Sequence, residues 1–260
     1  MDLQTLELAA LLTRRDLWLL VSVGYVDPYY RQRFGLLREP TLRQRTCDAA
    51  LLAQEHPAIE LGPGEVDPKE VSVRDLFAAL DSEWESIEAT YRLLFGLTAI
   101  SQQCPPCEME FEPNSDVAFR SQQLADVAGF YQAFGLEVSP RAQERLDHIS
   151  VECEFLYVLL AKEAAAVQAG NQEGMEVCRD ARRKFFQEHL GWWLPAFGQL
   201  LSRLAPPGFY RQLATLSAAM SAAERVSLGL PAFQARVIPK PSSAEAEGAC
   251  FECLGGQQGL

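Results

Sequence analysis

Glu144, Asp147, His148 and Glu152 form the densest cluster of groups able to hold or move charge. On a helix, Glu144, His148 and Glu152 recur every fourth residue and stack along one face. Carboxylates one turn above and below an imidazole favour its protonated form. The spacing therefore predicts a His148 that changes charge near neutral pH, either on a solvated face or at a ligand site. One histidine among hard carboxylates is a poor metal set. A second group is the thiol pair Cys104 and Cys107, spaced for a strained disulfide or an activated thiolate. Redox folds place such a pair after a strand, whereas 91–100 reads as helix. Cys250 and Cys253 repeat the spacing, and four thiolates would complete a tetrahedral zinc site. Two expectations stand for these four cysteines: a zinc clip joining the tail to the 104–107 loop, and four free thiols. Cys47, Cys153 and Cys178 fall in helical patterns and read as buried small apolar residues. His56 and His189 are isolated in the sequence. It contains no nucleophile-elbow serine, no phosphate-cradling loop and no dinucleotide fingerprint.

Positioning those groups falls to helices. Apolar residues recur at steps of three and four, as in Leu3, Leu6, Ala10 and Leu17 and again in Leu76, Leu80, Trp84, Ile87, Tyr91 and Leu94. Alternating strand patterns are scarce. Turn signals fall at Asp27-Pro28, Glu39-Pro40, 62–68, Cys104-Pro105-Pro106, Glu112-Pro113-Asn114, Gly135, Gly170-Asn171 and Pro206-Pro207-Gly208, a spacing that suits eight to ten helices. Ser139 before Pro140 predicts the start of the longest helix, running to about Ala169. Its core stripe is Ala142, Leu146, Ile149, Cys153, Leu156, Leu160, Ala164 and Val167. The expected fold class is all-α: one compact multi-helix domain over 1–238, followed by a flexible tail over 239–260. From Pro239 the composition is too polar to offset the entropy of ordering. The aromatic cluster Trp192, Trp193 and Phe197 reads as core or as the lining of a groove.

With 260 residues, 48% of them apolar, the chain can bury a full core, which excludes disordered and fibrous classes. A net charge of -12 repels phosphate backbones, so nucleic acid is not an expected partner and a positively charged one is. Seven cysteines in a chain of this length point to a reducing cytoplasm. No apolar run reaches the roughly 20 residues that span a bilayer, so no stable membrane insertion is expected. Thr13-Arg14-Arg15-Asp16-Leu17 imitates an export signal, but Asp2 and Glu7 precede it and no small-residue cleavage site follows. A buried first helix is the expectation.

Several stretches together carry a resemblance: Cys-Pro-Pro-Cys-Glu-Met-Glu-Phe at 104–111, Phe119-Arg120-Ser121-Gln122, the run 124–136, Glu144-Arg145-Leu146-Asp147-His148, 151–155, and Glu188-His189-Leu190 with Trp193, Pro195 and Phe197. In order and spacing they resemble the TorD/DmsD/NarJ family of molybdoenzyme chaperones, above all those serving type II enzymes of the dimethyl sulfoxide reductase family. Two departures stand out. Cys107 occupies the place of the family's tyrosine after the proline pair, and Leu146 replaces the proline of its Glu-x-Pro-Asp-His motif.

The resemblance implies a TorD-like cytoplasmic chaperone and not an enzyme. Its partner would be the catalytic subunit of a molybdenum-cofactor oxidoreductase, bound through the twin-arginine signal peptide and held until the cofactor is inserted. No cofactor of its own is required, beyond the structural zinc weighed above and a transient contact with the client's molybdopterin. Such a receptor should place carboxylates beside an apolar groove. The expected peptide-binding residues are Glu108, Glu144 and Asp147 for the guanidiniums, Tyr131, Phe134 and Phe130 for apolar surface, and His148 as an orienting hydrogen-bond group whose deprotonation strengthens binding as pH rises. The competing expectation is a thiol-redox or zinc-stabilised scaffold protein that uses the CxxC pairs.

Overall fold

A computed structural model of the chain describes residues 3–54, 59–96, 104–114, 116–137 and 144–234. Helix α1 (Leu3–Gly24) runs through the middle of the molecule because apolar side chains sit on most of its surface. Leu11, Leu17, Trp18, Leu20 and Val21 are all buried. Arg14 and Arg15 thus lie within a packed first helix, as expected. A four-residue turn of helix, α2 (Arg31–Phe34), follows the Asp27-Pro28 turn. Helix α3 (Pro40–Ala53) starts with proline at a first-turn position, where its missing N–H costs nothing. Helix α4 (Val73–Glu83) is capped by the Ser72 hydroxyl, which accepts from the Asp75 N–H, and α5 (Ile87–Phe95) follows after a break at 84–86. The break interrupts the stripe read as one helix. Even so, Leu76, Leu80, Ile87, Tyr91 and Leu94 all remain buried.

Helix α6 (Val117–Ala133) begins at Asp116, whose carboxylate accepts from the Phe119 N–H. The central α7 (Ile149–Ala169) packs chiefly on α1 and ends at Gly170, whose φ of 63° permits the left-handed cap. Ile149, Cys153, Leu156, Leu160, Ala164 and Val167 are buried, so the expected core stripe is the observed one from 149 onward. Each such leucine stabilises the fold by roughly 1.5–3 kcal/mol. Helix α8 (Gln172–Phe185) passes through a π-helical turn (Phe186–Leu190) into α9 (Gly191–Leu204), and α10 (Phe209–Ser227) closes the bundle against α9 and α1.

The interior also holds charge. Arg182, 2% exposed, is clamped between the buried Glu163 and Glu224, and Trp18 Nε1 donates to Glu224 at 3.1 Å. Among the described residues there is no strand, only an isolated antiparallel bridge between Cys107 and His148. No described helix is long and apolar enough to cross a membrane. The architecture is all-α, as the periodicity predicts. Ser139, Pro140 and Ala142, together with the tail from 239 and its Cys250 and Cys253, lie outside the described residues.

Candidate functional site

Glu144, Asp147, His148 and Glu152 do not share a helix face. The helix begins at Ile149, and 144–148 forms a turn that pairs with the 106–108 segment. Glu108 N–H donates to Asp147 O at 3.0 Å, and Ile149 N–H to Pro106 O at 2.9 Å. The Asp147 carboxylate takes the Met109 N–H at 3.0 Å and two bonds from Arg145 at 2.9 and 2.8 Å. Tyr131 donates its hydroxyl to Leu146 O at 2.9 Å. These bonds reward the turn conformation over a further helical turn. His148 becomes the N-cap of α7, its Nδ1 accepting from the Ser150 N–H at 3.2 Å. Because that nitrogen must stay unprotonated and the ring is buried, desolvation, with a smaller push from Arg145, lowers its pKa to about 3. The expected charge change near neutral pH is therefore corrected: His148 is neutral there.

Beneath this turn lies a buried polar network that the sequence does not announce. Glu108, 1% exposed, accepts from Trp192 Nε1 at 2.9 Å and faces His189 Nδ1 at 3.2 Å. The opposite ring nitrogen of His189 faces the exposed Asp126 at 3.2 Å. Burial works against charge on His189, but its hydrogen bonds to Glu108 and Asp126 outweigh it and raise the pKa. Glu152, with Trp193 Nε1 donating to it at 3.1 Å, is fully buried. Desolvation first, then Glu108 and Asp147, push its pKa well up. Its Oε1 meets no hydrogen-bond donor, and with Glu108 close by the neutral acid is the favoured form. His189 is thus not isolated, and Glu152 is no member of a solvated face. The one hint in the sequence is the pair of indoles at Trp192 and Trp193, each of which needs an acceptor when buried.

Among the described residues, Asp126, Glu188 and His189 bring three metal-type donors within 4.8 Å of one another. The imidazole there is already engaged on both nitrogens, by Glu108 and by Asp126. Cys104 and Cys107 are both buried free thiols, the former donating to Phe197 O at 3.6 Å. Burial raises both pKa values, the reverse of an activated thiolate. The other two thiols of the expected zinc clip fall outside the described residues.

Two of the expected peptide-binding residues meet in a groove of about 870 Å³ between α2 and α7. Tyr131 and Glu144 line it. Its apolar floor is Val26, Leu36, Leu136, Val151, Phe155 and Val158, and its carboxylates are Glu137, Glu144 and Glu154. Arg31 and Arg33 form the other side of the lining. Phe134 lies behind the floor, edge-on to Phe155 at 5.8 Å, and Phe130 packs edge-on against His189 at 5.5 Å. Glu108, Asp147 and His148 are buried beneath, 1%, 0% and 5% exposed. The floor has a signal in the sequence after all. Val151, Glu154, Phe155 and Val158 follow the i, i+3, i+4, i+7 rhythm and form a second stripe on α7 beside the core one.

Comparison with known proteins places the chain in a family. The model of the nitrate reductase delta subunit matches residues 68–199. A selenate reductase assembly chaperone protein of Thauera selenatis is 31% identical over 145 residues, 56% of this chain and 72% of the relative. A perchlorate reductase assembly chaperone protein of Dechloromonas aromatica (strain RCB) is 28% identical over 189 residues, 71% and 75% of the two chains. A chlorate reductase assembly chaperone protein of Ideonella dechloratans is 32% identical over 117 residues, 45% and 58%. No solved structure matches. These relatives are named for assembly rather than catalysis, and the family match spans the whole turn, network and α7 wall just described. The chain belongs to the nitrate reductase delta subunit family, in keeping with the TorD/DmsD/NarJ motifs it carries.

Proposed function

We propose that this protein is a cytoplasmic assembly chaperone for a reductase of the molybdenum-cofactor type, and that its groove receives the basic leader peptide of the catalytic subunit before export. The relatives' names support the assembly role, since each serves the maturation of a reductase. The observation that carries the peptide site is the groove's composition: an apolar floor on α7 beside three carboxylates, in a chain of net charge -12. A twin-arginine leader offers the complement, two guanidiniums followed by an apolar run. Guanidinium and carboxylate pair through strong charge-assisted hydrogen bonds, and α7 supplies surface for the apolar part. Glu137, Glu144 and Glu154 take the arginines. Glu108 and Asp147 act from beneath, the Glu108 carboxylate tying its segment to His189 and Trp192 and the Asp147 carboxylate joining the 144–148 turn to Met109, in place of the direct guanidinium contacts expected of them.

The test is calorimetry with a synthetic leader peptide from a client encoded near this protein. Glu144→Gln should weaken binding about tenfold, roughly 1.4 kcal/mol for one charge-assisted contact, and added salt should weaken it further. A groove variant pair, Glu137→Gln and Glu144→Gln, that binds as tightly as the natural protein would remove the site.

A further inference from the structure

The groove already contains arginines of its own. Arg33 on α2 pairs with Glu154 on α7, and both side chains line the groove at 40% and 42% exposure. Arg31, 82% exposed, points its charge to Glu88 at 2.9 Å, outside the groove's carboxylates. Helix α2 is one turn long and has no side-chain cap, and its Phe34, 1% exposed, anchors it against Trp84 and Phe209. The Arg33–Glu154 pair straps this short segment to the central helix.

We propose that Arg33 is an internal competitor in the groove, a stand-in for the guest's arginine that the leader must displace from Glu154. This rests on the groove being the leader site. The exchange is charge for charge. A guest guanidinium that takes Glu154 replaces one ion pair with another and frees the Arg33 side chain to solvent. A guest without a cation that wedges the groove open leaves Arg33 and Glu154 both unpaired, which disfavours it. Half-exposed pairs of this kind are weak, so the strap opens at small cost and the exchange is reversible. The salt bridge thus sets the threshold a guest must pass to reach Glu154, while the floor of α7 provides the apolar contact area.

The experiment uses the full chain, a leader peptide with its two arginines, and the same peptide with both changed to glutamine. Arg33→Gln should tighten the arginine peptide about 2- to 5-fold without reducing the preference for it over the glutamine peptide. Arg31→Gln removes the same charge from the same wall without touching the strap, and should gain less. In a Glu154→Gln background the gain from Arg33→Gln should vanish, since the pair is already broken. Equal gains from Arg31→Gln and Arg33→Gln, a gain that persists without Glu154, or no gain at all would overturn the strap while leaving the groove intact. If neither the natural protein nor any variant binds the arginine peptide, the groove assignment itself fails and the strap goes with it.

Discussion

Replacing His148 with asparagine should alter how stability depends on pH, by an amount the structure sets. Asparagine is a strong N-cap and can accept the Ser150 N–H as Nδ1 now does, so His148→Asn keeps the start of α7 while removing the titrating ring. The unfolded imidazole takes a proton near 6.5, whereas the folded one resists until about 3. A folded pKa below the unfolded one means the unfolded state binds the extra proton in between. The natural protein therefore loses stability as pH falls through that window. At pH 5 the gap amounts to about 1.5 pH units, or roughly 2 kcal/mol, and it keeps growing toward pH 3. Urea titrations of both proteins between pH 8 and pH 5 give the difference curve. It should be flat above pH 7.5, whatever constant offset the smaller side chain introduces, and should then move by about 2 kcal/mol in favour of the variant at pH 5. His189 and Glu152 titrate in both proteins and drop out of the difference. A curve flat across the whole range would refute the neutral, buried imidazole. It follows too that His148 adds no pH dependence to peptide binding between pH 6 and 8, contrary to the expectation from its neighbours in sequence.

Glu224→Gln should destabilise the protein by about 3–5 kcal/mol in urea unfolding, because Arg182 is left buried with Glu163 alone; a loss under about 1 kcal/mol would mean that water reaches the cluster. Burial works to raise the Glu224 pKa, but Arg182 and Arg14 hold it below the ordinary range, so that contribution is present above about pH 4.5 and fades as pH falls further. Gly208 precedes α10 at a φ of 152°, and an added Cβ there would meet the Glu83 carboxylate that accepts the Phe209 N–H. Gly208→Ala should cost about 1–3 kcal/mol from the backbone alone, with a matching fall in Tm by calorimetry. Cys104→Ser and Cys107→Ser should each leave the number of fast-reacting thiols in the native protein unchanged and lower the count by one after denaturation; loss of a fast thiol would revive an active dithiol.

Local chemistry made much of the scaffold legible in the sequence. The apolar rhythm of α7 from Ile149 to Val167, the glycine that ends it at Gly170 and the proline that opens α3 are decided by neighbours within a turn or two, and there the chain reads as it folds. Glu144 and Tyr131 were reachable from the family motifs. What only the tertiary structure decided is which polar groups are buried and with whom. Glu108 meets His189 and Trp192 across more than eighty positions of chain, Trp18 meets Glu224 across two hundred, and each pairing exists because a buried polar group must find a partner wherever packing supplies one. The same rule overrode the helical spacing at 144–148. There the 106–108 segment offered backbone and side-chain bonds that a solvent-facing helical turn could not match, so the apparent charged face became the buried joint beneath the groove.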